Sequence, residues 1–237
     1  MTARGWRLAD VLVGLAVVLA VVSAYGCKPP PPELTGGCRT FAVGTWGEHL
    51  APWQDLDWTR YAVVDEPLLS WGDPTGLRIV YPEIPARMDA LRSRFADAQA
   101  RGLATWVNWS SEEADLVYRS AWTNVWDLHV ETSVVSIDDY AGPAEWWLGS
   151  TPARLGAVYA GLQPGQGMAV VPEAFPLRYE SEDDLILMSG LYFEWALEHP
   201  RVVAFVPFLW TGGIEQFPAL RQYLADLVAR YPPCPEG

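Results

Sequence analysis

The chain has 237 residues, half of them hydrophobic, with 13 Trp and a formal net charge of −13. That much apolar residue supports one sizeable buried core and excludes a disordered chain. The pI near 4.5, with no basic cluster to offset it, excludes the electrostatics on which nucleic-acid binding depends.

Residues 1–26 read as a targeting segment. Arg4 and Arg7 precede an apolar run, "VLVGLAVVLAVVSAYGC", from Val11 to Cys27. Its length suits a signal peptide and is short for a membrane span. "AYGC" resembles a bacterial lipobox, with Gly26 ahead of Cys27, so Cys27 is the expected site of lipid attachment. The protein would then be exported and held at the cell envelope, touching the membrane through that lipid. Ordinary cleavage after Ala24 in "VVSA" would instead release a soluble secreted protein, and an uncleaved anchor is the third option. Residues 27–38, with "KPPPPELTGG", form a semi-rigid tether to a single domain over 39–237. With Cys27 lipidated, Cys38 and Cys234 remain as an oxidisable pair in an exported chain. A local Cys27–Cys38 bridge, or no bridge, is the alternative.

Within the domain the predicted elements alternate. Strands fall at 40–46 and 61–67, with a third at 77–85, and a helix follows over 86–102, where Met88, Leu91, Phe95 and Ala98 recur at helical spacing. A strand at 103–110 leads to a helix at 111–128, and a strand at 133–140 leads to a helix at 152–162. "GMAVVPEAFP", from 167 to 176, opens as another strand. A helix at 183–199, a strand at 201–210 and a final helix at 217–231 complete the chain. An eighth strand would sit near 127–132. Apolar, β-branched strands alternating with helices indicate a parallel sheet covered by helices. No glycine-rich phosphate loop follows any strand, which argues against an open nucleotide-binding sheet. The strand ends favour a compact, single-domain α/β fold of the (β/α)8 TIM-barrel type.

In such a barrel, function gathers at the C-terminal strand ends. Read in order these carry Trp46 and Glu48; Asp65 and Glu66; Tyr81 and Glu83; Asn108 and Trp109; Asp138, Asp139 and Tyr140; Glu173; and Trp210. Aromatic faces stack on sugar rings, and carboxylates perform acid–base and nucleophilic work on glycosidic bonds. His49, His129 and His199 are isolated, with no second ligand at metal spacing. No metal and no cofactor is expected.

"SVVSIDDYAG", "GMAVVPEAFP" and "VVAFVPFLWTGG", in that order and spacing, resemble the last three strands of the TIM-barrel glycoside hydrolase superfamily. The resemblance spans about residues 40 to 231 and is specific only in these strands. It implies that Glu173 matches the nucleophile at the end of strand seven and Trp210 the tryptophan that floors the sugar subsite. The large retaining clan places an Asn-Glu pair after strand four, whereas here Asn108 is followed by Trp109, so the acid/base is not supplied by the family pattern. Strand alternation supplies Asp138 instead: Ser136 and Asp138 share one face, as do Ala169, Val171 and Glu173. Asp139 is the weaker neighbour of Asp138. Tyr140, Trp46, Asn108, Trp109 and Glu66 are the remaining candidate substrate-binding residues.

The expectation is an exported, lipid-anchored glycoside hydrolase with carbohydrate as its partner and a carboxylate pair as its machinery. The alternative is a non-catalytic carbohydrate-binding surface lipoprotein on a degenerate glycosidase barrel. Each candidate also has a plain structural role open to it: an ion pair with Arg178 for Glu173, helix or loop capping for Asp138 and Asp139, and packing for the tryptophans.

Overall fold

The computed structural model describes residues 36–45, 53–64, 84–110, 132–139, 142–172, 181–208 and 216–235. Its elements in chain order are β1 (Ala42–Val43), a 3-10 turn (Trp58–Arg60), β2 (Tyr61–Val64), α1 (Ile84–Ala100), β3 (Ala104–Ser110) and β4 (Val134–Asp139). They continue with α2 (Pro143–Trp147), α3 (Ser150–Gly161), β5 (Gly167–Pro172), α4 (Glu182–Glu198), β6 (Val202–Phe205) and α5 (Pro218–Arg230). The strand expected at 77–85 and the helix expected at 111–128 lie outside the described residues, except that Ile84 and Pro85 begin α1. The short helix α2 is an addition to the expected elements, started by a proline at its first position.

All pairings are parallel, and the sheet runs β1-β6-β5-β4-β3-β2. This corrects the expected closed (β/α)8 barrel. Among the described residues the sheet is open, with six strands and with β1 and β2 as its two edges. At one edge β1 is only two residues long. Its outer backbone groups are taken by an irregular segment: the N–H groups of Asp55 and Leu56 donate to the Val43 carbonyl at 2.9 and 3.1 Å. The Val43 N–H in turn donates to the Asp55 carboxylate at 2.7 Å. Residues 55 and 56 thus occupy the ladder positions that a neighbouring strand would need. Gly44 permits this, because a Cβ there would lie 2.8 Å from the Leu56 side chain.

The two faces of the sheet are packed differently. On one, Val43, Val135, Met168, Val170 and Phe205 meet helices α3, α4 and α5 in a large apolar core. Phe193 of α4 sits at its centre, edge-on to Phe41, Phe205 and Tyr231 at 5.3, 5.2 and 5.6 Å. On the other, Trp106, Val134, Ala169, Ala204 and Val206 pack with Leu56. Adjacent residues such as 134 and 135, or 169 and 170, therefore serve opposite cores, as the pleat requires. Strands buried on both faces read as continuous apolar runs in the sequence.

Capping residues join the helices at their N-termini. The Ser181 hydroxyl accepts from the Asp184 N–H at the start of α4. The Glu182 carboxylate accepts from the N–H groups of Ala219 and Leu220 at 2.8 and 2.9 Å, closing the first turn of α5.

The two ends of the described chain are tied together. Cys38 and Cys234 form a disulfide across 196 residues of sequence. Beside it the Arg39 N–H donates to the Pro232 carbonyl at 3.0 Å, and the Cys234 N–H to the Arg39 carbonyl at 2.9 Å. The Gly36 N–H donates to the Tyr231 hydroxyl at 2.9 Å. Arg39 itself is buried and ion-paired with Asp55, so the same residue links this clamp to the segment that covers β1.

Candidate functional site

The parallel ladders set the C-terminal ends of three central strands level with one another. Ser110 of β3 pairs with Asp138 of β4, and Asp138 with Val171 of β5. Asp139 pairs with Pro172, the last residue of β5. Glu173 follows immediately and lies outside the described residues, as do Trp210, Tyr140, Trp46, Glu66 and Cys27. Of the expected site residues, the structure brings Asn108, Trp109, Asp138 and Asp139 to one edge of the sheet, on the adjacent strands β3 and β4. The pleat gives position 138 the same face as Ser136.

One residue pair below that edge, the sheet crosses a row in register: Asn108, Ser136, Ala169, Ala204 and Ala42. Three of the five are alanines. The other two form a buried hydrogen-bond chain with Trp106, which lies two residues before Asn108 on the same face of β3. The Trp106 indole N–H donates to Ser136 Oγ at 2.8 Å, and the Ser136 hydroxyl donates to Asn108 Oδ1 at 2.6 Å. Trp106 and Ser136 are 0% exposed and Asn108 2%. Burying such groups away from water is costly unless they pair with each other, and here they do.

The floor beneath this chain is aromatic. Trp58 stacks on Trp106 with ring centroids 5.4 Å apart and planes 22° apart, and Tyr61 meets Trp106 edge-on at 5.6 Å. Trp58 is delivered by the 3-10 turn, whose cap is Asp57. The Asp57 carboxylate accepts from the Thr59 hydroxyl at 2.6 Å and the Thr59 N–H at 3.1 Å. Those bonds, the hydroxyl's first, hold the carboxyl below its ordinary pKa.

Other aromatics sort by environment. Trp106 is core. Trp146 packs on Tyr192 at 4.9 Å, whereas Trp147 stands 52% exposed beside the exposed Leu148. His199 lies against Trp195 and Tyr159 and donates from Nδ1 to the Trp195 carbonyl. Among the described residues, no group of three His, Cys, Asp or Glu side chains is placed to hold a metal ion. Cys38 is bonded to Cys234, one of the two pairings the sequence left open.

Trp106, open from the sequence to packing or a sugar subsite, and Ser136, placed there on the face of Asp138, are joined by a hydrogen bond that sequence reasoning did not anticipate. The signal was present as two polar-capable side chains two apart on one strand, Trp106 and Asn108, with a serine at matching depth on the next. Nothing in a single sequence gives the ladder register that brings the three together. Compared with family models, with curated proteins and with solved structures, the chain matches none.

Proposed function

We propose that this protein is an exported glycoside hydrolase-like enzyme that cleaves glycosidic bonds with a carboxylate pair. The observation that carries the proposal is the strand-end register. It sets Asp138 and Asp139 of β4 level with Val171 and Pro172 of β5, so that Glu173 is the next residue along the chain. Two carboxylates from adjacent parallel strands are the minimum that hydrolysis of a glycoside requires, one as general acid and one as nucleophile or base. In this reading Glu173 is the nucleophile or base and Asp138 the acid/base, with Asp139 beside it. Trp210, Tyr140, Trp46, Trp109 and Glu66 line the substrate, and Asn108 supports the site from below. The acidic balance of the chain favours neutral or weakly charged glycans over anionic ones. The Cys38–Cys234 disulfide supports export to an oxidising compartment, and Cys27 would carry the lipid that retains the protein at the envelope.

A second reading, a non-catalytic carbohydrate-binding lipoprotein, draws on one observation. Trp109 follows Asn108 where the glycosidase pattern has its glutamate. Incubation with a panel of neutral polysaccharides separates the two. New reducing ends, lost in Glu173→Gln, support the enzyme; binding without reducing ends supports the binder.

A further inference from the structure

We infer that Trp106 and Ser136 are positioning residues whose hydrogen bonds fix which way the Asn108 amide faces, so that its N–H donors serve a carboxylate at the strand ends. An indole N–H can only donate. Ser136 Oγ accepts it at 2.8 Å, which leaves the single Ser136 proton for Asn108 Oδ1 at 2.6 Å. The amide oxygen is thereby tied to β4, and both amide N–H groups turn away from Ser136. Flipping the amide would take the Oδ1 acceptor away from the Ser136 proton and leave Ser136 Oγ accepting from two donors. Reversing the whole chain is barred, because the indole nitrogen has no lone pair to accept with. The polarity runs one way, from Trp106 toward Asn108, and Asn108 lies two residues from the end of β3.

Packing alone does not explain these side chains. The same row is filled at three other positions by alanine, and a fully apolar row would carry no desolvation cost. What the chain adds is a pre-oriented neutral donor under an edge where acidic residues gather. Hydrogen bonds donated to a carboxylate favour its ionised form. Under the proposed hydrolase reading, on which this use of the donors rests, the donor keeps a carboxylate at the ends of β3 and β4 charged at acidic pH.

The test uses the full oxidised chain labelled with 15N, with the Asn108 side-chain amide assigned by its loss in Asn108→Asp. In Ser136→Ala, hydrogen exchange of that amide should speed by at least tenfold, and Ser136→Thr, which restores a hydroxyl, should return it to the wild-type rate. If Ser136→Ala does not fold, Trp106→Phe takes its place, since it removes the donor that enforces the polarity and should speed the exchange likewise. In the same variants the acid limb of the cleavage pH profile should move to higher pH with KM unchanged. Equal exchange in wild type, Ser136→Ala and Ser136→Thr would overturn the inference. So would faster exchange accompanied by an unmoved pH profile. Wild-type protein that cleaves no glycan would remove both the hydrolase reading and the carboxylate role, while the exchange rates would still decide the orienting role of Ser136.

Discussion

Arg39 has most to lose from a change in a single neighbour. Its guanidinium is buried and its counter-charge is Asp55, which also receives the Val43 N–H. Asp55→Ala would leave an uncompensated charge beside β1. A fully buried pair broken in this way costs about 3–5 kcal/mol. Asp55 is 36% exposed, so water can partly replace it, and a loss of about 2–3 kcal/mol is expected in denaturant unfolding. Tyr223 of α5 presents the opposite case. Its hydroxyl is buried with no hydrogen-bond partner, and burial raises its pKa to about 12, Arg230 opposing and Glu194 and Tyr231 adding to the rise. Tyr223→Phe removes a polar atom that gains nothing from folding, and should be neutral or stabilising by about 1 kcal/mol. The pH dependence follows from the same burial. Because the folded value exceeds the unfolded value near 10, the contribution of Tyr223 is complete below pH 10. It is lost as pH rises from about 10 through 12, and Tyr223→Phe should flatten that part of the stability curve.

At the scale of elements, the two most informative joints are the terminal clamp and the start of β5. The Cys38–Cys234 bond closes a loop of nearly the whole domain, which in the chain-entropy picture restricts the unfolded state by about 5 kcal/mol. The double variant Cys38→Ser with Cys234→Ser should therefore unfold at markedly lower denaturant, and reductant should shift wild type to the same midpoint. Gly167 begins β5 where a Cβ would lie 2.5 Å from Val203. Gly167→Ala forces β5 and β6 apart and should cost about 1–3 kcal/mol. These joints also mark what the sequence could and could not disclose. Helices α3, α4 and α5 were legible to within two residues at each end, because their apolar spacing is a local signal. The register between strands was not legible, since it is set by contacts such as Gly167 against Val203 that lie 36 positions apart. The clamp was half legible: three cysteines narrowed the partners, and only the parallel bridge of Arg39 to Pro233 brings the right two together.

At the scale of the whole molecule, the apolar strand runs announced a parallel sheet covered by helices, and they did so because a central strand such as β5 is buried on both faces. The same burial made closure unreadable. A run such as Met168–Val171 looks alike in an open sheet and a closed barrel. Beside β1, Asp55 and Leu56 stand where a further strand would pair with Val43, and no periodicity encodes that. The candidate site was legible in its residue types and strand ends, and invisible in the hydrogen bond that joins its buried support, Trp106 and Ser136. The open order leaves the functional proposal resting on the central strands β3, β4 and β5 and their shared edge rather than on a ring of eight strand ends. Its central claim is that Glu173 acts chemically from that edge. The most direct test is reducing-end release from neutral glycans by the oxidised wild-type protein and by Glu173→Gln, with thermal melts of both. Release by wild type is expected, with at least a hundredfold loss in Glu173→Gln and closely matching melts. Release undiminished in Glu173→Gln, or none from wild type on any glycan it binds, would contradict it.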